Sequence, residues 1–123
     1  MIGLTATAQE KEKPKSIMDS WPALKEFHTV MSQTFHPSEE GNLEPIKKRS
    51  GELFAKALVL VKSEIPKKLD NEKMKDATTR LYIMTEDLDK MIKAKASDSD
   101  ITSFLSKIHD VFHEIVGLCK EAE

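Results

Sequence analysis

The chain has 123 residues, 39% of them apolar and 33% charged, with a formal net charge of −2, the make-up of one globular domain that buries its own core. Lys and Asp/Glu are interleaved throughout, so the charge reads as a solvated surface and gives no bulk electrostatic case for nucleic acid. The single cysteine, Cys119, excludes an internal disulfide and a Cys-x-x-Cys-His haem attachment, and no apolar run approaches the ~18–20 residues of a membrane span.

Residues 1–8 begin with the apolar stub Met1-Ile2-Gly3-Leu4 and end in Ala6-x-Ala8, a small-residue cleavage pattern. They are expected to be the remnant of a secretory signal, which makes the periplasm or the cell exterior the expected compartment. Residues 9–18 are polar and lysine-rich and are expected to be disordered. Residues 19–121 are expected to carry the fold.

The first helix is predicted over 19–36. Asp19 or Ser20 can cap it, and Pro22 suits its first turn. Its stripe is Trp21, Leu24, His28, Met31 and Phe35, a 3-4-3-4 spacing that marks the seam of a bundle helix. Pro37 is expected to end it. The second helix is predicted over 43–65, with Asn42 as cap, Pro45 in the first turn and Pro66 as terminator. Its stripe is Ile46, Ser50, Leu53, Ala57 and Leu60.

The third helix is predicted over 71–96, with Met74, Ala77, Leu81, Met84, Leu88, Met91 and Ala94 as its stripe. The turn Ser97-Asp98-Ser99-Asp100 offers caps for a fourth helix that runs to Cys119. Ile101, Phe104, Leu105, Ile108, Val111, Phe112, Ile115 and Leu118 form its stripe. Four amphipathic helices with short connections predict an all-α, antiparallel up-down-up-down four-helix bundle.

The four histidines, His28, His36, His109 and His113, all fall in the first and fourth helices. His109 and His113 stand at i, i+4, which puts both imidazoles on one helix face, ~5–6 Å apart at Cβ. Such a pair can chelate a transition metal, and equally can be two surface histidines. Asp110 stands where a zinc protease motif has glutamate. The pair sits ~100° from the centre of the apolar stripe, facing a groove or solvent.

His28 occupies a seam position, where a buried imidazole needs a partner. Ser50 of the second helix is one candidate; a role as an inward-facing ligand is the other. Counting the rise along antiparallel first and fourth helices sets His28 level with His109, with His113 one turn further. A metal site of His28, His109 and His113 is therefore possible, and His36 is expected to be a helix-end cation beside Pro37. Met31, Met84 and Met91 read as core packing, and Cys119 as a buried thiol. No phosphate loop, nucleophile with a nearby base or inward-facing Glu-x-x-His pair is present, so no enzyme activity is expected.

Three short stretches carry a resemblance. Ile65-Pro66-Lys67-Lys68-Leu69 is similar to the loop between helices two and three of the soluble periplasmic b-type cytochrome with a four-helix-bundle fold, a relative of cytochrome c′. Met74-Lys75-Asp76 is similar to that family's start of helix three, and Val111-Phe112-His113-Glu114 to the end of its last helix, where a histidine is the axial haem ligand. The likeness spans roughly residues 51–119 and supports the bundle more than it supports haem. It implies His113 as an axial ligand of haem b. The family's second ligand, a methionine early in helix one, has no counterpart here; His28 is the nearest candidate.

Three functional readings follow. One is a protein that binds a Zn or Cu ion through His109 and His113, with His28 as third ligand. Another is a non-covalent haem protein for electron transfer, with His113 and His28 as axial ligands and with Ser50 and Gly51 opening room opposite His28. The third is a cofactor-free bundle that binds another periplasmic protein.

Overall fold

The computed structural model describes residues 17–122. Four helices carry the fold: α1 (Pro22–Glu39), α2 (Glu44–Lys62), α3 (Glu72–Lys93) and α4 (Asp98–Glu121). Short 3-10 turns lie at Ile17–Ser20 and Lys67–Leu69, and there is no strand among the described residues. The signal remnant assigned to residues 1–8 lies outside the described residues, as does most of the segment 9–18. Ile17 and Met18 of that segment belong to the first 3-10 turn. Among the described residues no helix is long and apolar enough to cross a membrane.

Cross-helix bonds join the start of each helix to the end of the next. Trp21 Nε1 donates to Ser63 Oγ at 2.8 Å, Ser50 Oγ donates to Asp89 Oδ1 at 2.6 Å, and Arg80 grips Glu114 through bonds of 2.6 and 3.1 Å. These are the pairings of up-down-up-down neighbours. The seams α1/α2, α2/α3 and α3/α4 are broad, whereas α1 and α4 close the ring along a much thinner one.

The core follows the predicted stripes on three helices. α2 buries Ile46, Ser50, Leu53, Ala57 and Leu60. α4 buries Ile101, Leu105, Ile108, Val111, Phe112, Ile115 and Cys119, with Phe104 and Leu118 half-buried at the edges. α3 buries Met74, Ala77, Leu81 and Leu88, while Met84 and Met91 are half-buried and Ala94 is exposed. Each large apolar side chain taken out of water here contributes about 1.5–3 kcal/mol before chain entropy is charged against it.

α1 departs from its prediction. It buries Ala23, Leu24, Phe27, Val30, Met31, Thr34, Phe35 and Ser38, and His28 is exposed rather than in the seam. The rest of the stripe is as predicted, with Trp21, Leu24, Met31 and Phe35 buried. Between Leu24 and Met31 the inward step is taken at i+3, by Phe27, and not at i+4, by His28; both steps keep a bundle seam, and the apolar ring takes the buried place. Neither Asp19 nor Ser20 is the N-cap of α1: that position is Trp21, with φ −122° and ψ 85°, and Pro22 at the first position removes one of the donors a cap would satisfy.

Pro37 does not end α1 either. It sits in the last turn and the helix runs on to Glu39. Gly41, at φ +87°, makes the end. Asn42 N–H bonds Pro37 O at 2.9 Å and Gly41 N–H bonds Ser38 O at 3.1 Å, which is a Schellman closure. The same closure ends α3 earlier than expected, with Lys95 at φ +63° in glycine's place and Ala96 N–H bonded to Met91 O at 2.9 Å.

The other ends are set by side chains and prolines. Leu43 is the N-cap of α2, and the Asn42 side chain still accepts from Glu44 N–H at 3.1 Å. Asn71 caps α3 by accepting from Met74 N–H at 2.9 Å. Ser97 caps α4 by accepting from Asp100 N–H at 3.1 Å.

Between α2 and α3 a carboxylate is buried. Asp89 accepts from Ser50 on one oxygen and lies 2.9 Å from Lys93 Nζ on the other. Burial pushes its carboxyl up, but the Ser50 hydroxyl and the Lys93 ammonium outweigh it, and the net shift is below the usual carboxylate range. Ser50 is thus spent on Asp89, not on His28. Gly51 also faces Asp89, whose Oδ1 is 3.8 Å from where its Cβ would be. These small residues serve the α2/α3 seam and open no room opposite His28.

Candidate functional site

The thin seam between α1 and α4 holds a cleft of about 260 Å3, and all four histidines of the chain line it. Its floor is apolar: Met31, Phe35 and Phe112 are 1%, 8% and 4% exposed. Ser32 and Glu39 complete the α1 wall. The histidines reach this line because α1 offers positions 28, 32, 36 and 39 at helical spacing, and α4 offers 109, 112 and 113.

Ring stacking orders the cleft. His109 lies flat on Phe35, centroids 3.8 Å apart and planes 5° from parallel. His113 meets His109 edge-on, at 4.3 Å and 82°. Further along, His28 lies over Phe112 at 5.3 Å and 13°. His36 sits at the Glu39 end, with Nδ1 3.2 Å from Glu39 Oε1.

The i, i+4 pair predicted on the last helix is therefore formed, on the flank and facing a groove, as its angle from the stripe requires. The predicted register is not. Phe35 and its neighbour His36, rather than His28, share the level of His109, while His28 stands level with Phe112. The count from helix end to helix start assumed that α1 stops at residue 36 and so misjudged the overlap.

His36 and Glu39 were missed for the same reason: His36 was placed at a helix end that in fact lies further on, and Glu39 fell in the loop expected after Pro37. The signal that could have found them is the i, i+3 spacing of His36 and Glu39, read through Pro37 rather than up to it.

The electrostatics of the cleft centre on His109. His109 is held below the ordinary imidazole range, first by burial and then by His113, with His36 adding to the shift and Glu39 and Asp110 opposing it. A depressed imidazole stays neutral at neutral pH and so keeps a lone pair free for a ligand. Among the described residues no three His, Cys, Asp or Glu side chains are already grouped for a metal ion. His109 and His28 stack on Phe35 and Phe112 instead, while His113 meets His109 edge-on, so that joint coordination requires His109 to turn off the Phe35 face. Cys119 is buried in the core of α4 and does not line the cleft.

Compared with known proteins, the chain matches no family model, no curated protein and no solved structure.

Proposed function

We propose that the chain is a non-enzymatic metal-binding protein that takes a Zn or Cu ion in the α1/α4 cleft. His109 and His113 form the chelating pair, and α1 supplies a further imidazole. The observation that carries this reading is that every histidine of the chain lines one cleft, in the seam that packs least closely. Bundles build metal sites in this way, from side chains on facing helices. Burial and like charge favour the neutral, ligand-competent form of His109.

The apolar floor and His113 also favour a haem b reading, which is the weaker of the two. The cleft, at about 260 Å3, is smaller than the ~300–1,000 Å3 of sites that enclose drug-sized ligands. A porphyrin would have to part α1 from α4.

The test is elemental analysis of the untagged protein purified from cells able to make haem, with an absorption spectrum of the same sample. Stoichiometric zinc or copper without a Soret band is the expected result. A Soret band supports haem instead. If the purified protein is metal-free and His109→Ala and His113→Ala titrate with Zn(II) like the parent, the metal reading fails.

A further inference from the structure

The Glu39 end of the cleft holds an arrangement that the metal reading has not used. α1 continues through Pro37, so His36 and Glu39 stay on one helical face three residues apart. His36 turns Nδ1 towards Glu39 Oε1, at 3.2 Å. With the carboxylate accepting from Nδ1–H, the proton of the neutral ring is placed on Nδ1 and the lone pair on Nε2. Metal-ligating histidines are held in this way: one ring nitrogen binds the ion and the other donates to a carboxylate, which fixes the tautomer and raises the basicity of the ligating nitrogen.

No other histidine of the cleft has this support. Among the described residues, His28, His109 and His113 have no carboxylate partner at hydrogen-bond distance; they pack against aromatic rings. The Phe35–His109 stack brings the turn that carries His36 level with His109. His28 is eight positions earlier, a rise of ~12 Å along α1; its ring lies over Phe112, which sets it level with His113 at the far end of the pair from His109, and it has no carboxylate to orient it.

We propose that His36, through Nε2, is the α1 ligand that joins His109 and His113 on a divalent ion of the Zn(II)/Cu(II) class, with Glu39 as its positioning carboxylate and His28 outside the coordination shell. This rests on the metal-binding reading above. Three imidazoles backed by a carboxylate suit a borderline divalent ion rather than Cu(I). The soft donor at hand, Met31 sulfur, belongs to a side chain 1% exposed in the cleft floor. His36 and Glu39 are exposed, so their substitution leaves the core intact.

The experiment is competition titration of the full chain with Zn(II), together with the visible spectrum of the Co(II)-substituted protein. His36→Ala is expected to lower Zn(II) affinity as much as His109→Ala and His113→Ala do. His28→Ala is expected to leave it within about threefold. Glu39→Gln is expected to cost ~10–100-fold while the Co(II) band keeps the shape of the parent, because the ligand atoms are unchanged. A loss in His28→Ala with none in His36→Ala overturns this assignment and leaves the metal reading standing. Parent-like affinity in His109→Ala and His113→Ala overturns both.

Discussion

Phe35 and His109 lie face to face across the α1/α4 seam, centroids 3.8 Å apart and planes 5° from parallel. The stack buries one face of the imidazole, and burial is the largest cause of its lowered pKa. Phe35→Leu keeps the apolar floor but opens that face. The His109 titration, followed by NMR, is expected to move up towards the ordinary ~6.5. Native stability in urea is expected to fall by about 1–2 kcal/mol.

The same shift has a pH signature. Because the folded-state pKa of His109 lies below its unfolded value, the contribution it makes is fully present above about pH 6.5 and is lost as pH falls through the folded value. Charge on His109 then faces His113 on its own helix and His36 across the cleft, with Glu39 and Asp110 opposing. Phe35→Leu should flatten the loss of stability over this window, measured as urea midpoints from pH 7.5 to 5. An unchanged slope would mean that burial by Phe35 is not the cause.

A second pH dependence belongs to Asp89. Its depressed folded pKa means a contribution present above the ordinary carboxylate value of about 3.9 and lost as pH falls through the folded value. Ser50→Ala removes the donor at 2.6 Å and is expected to cost about 1.5–3 kcal/mol at pH 7. The gap between variant and parent should narrow below pH 4, as the carboxylate is protonated. A gap that is constant with pH would identify packing, not the charged bond, as the loss.

Lys95 holds a left-handed backbone, φ +63°, at the end of α3. Only glycine adopts that conformation without a Cβ penalty, and the penalty is about 1–2 kcal/mol. Lys95→Gly is therefore expected to stabilise the fold by about 0.5–1 kcal/mol after the extra unfolded-state entropy is counted. Thermal unfolding by circular dichroism reads it, and a lower midpoint would contradict the Schellman assignment.

Trp21 is the only tryptophan, is 1% exposed and donates to Ser63 Oγ at 2.8 Å. Ser63→Ala leaves the indole N–H without that acceptor and is expected to cost about 1–3 kcal/mol. Trp21 fluorescence during urea unfolding measures the change directly, since the probe sits at the bond removed.

Most of the fold was legible because the buried positions of α2 and α4 keep a regular helical spacing, with Ser50 the one polar member of the α2 stripe. α1 was not, for two local reasons. A step of three and a step of four from Leu24 both keep a bundle seam, so the spacing alone does not choose between Phe27 and His28. Pro37 lacks an N–H but has a backbone angle that a last turn accepts, so its presence marked a boundary three residues early. Both errors fell on the site. The first put His28 in the core, and the second left His36 at the helix end and Glu39 beyond it. The His109–His113 pair was legible because it needs only one helix. The convergence on it from α1 needed the register between two helices, which depends on where each one ends. Asp89 was invisible for a similar reason: its tolerance for burial comes from Ser50 on another helix.

The cleft lies where the first helix meets the last, the two elements farthest apart along the chain. An ion held there is a clasp on a closed ring. It shortens the effective loop that the unfolded chain would have to close, and mass action adds its binding free energy to the stability of the closed bundle. On the metal-binding reading the protein would then report its own loading through its lifetime: with the clasp fastened, unfolding slows and proteolytic nicking of the opened bundle is suppressed.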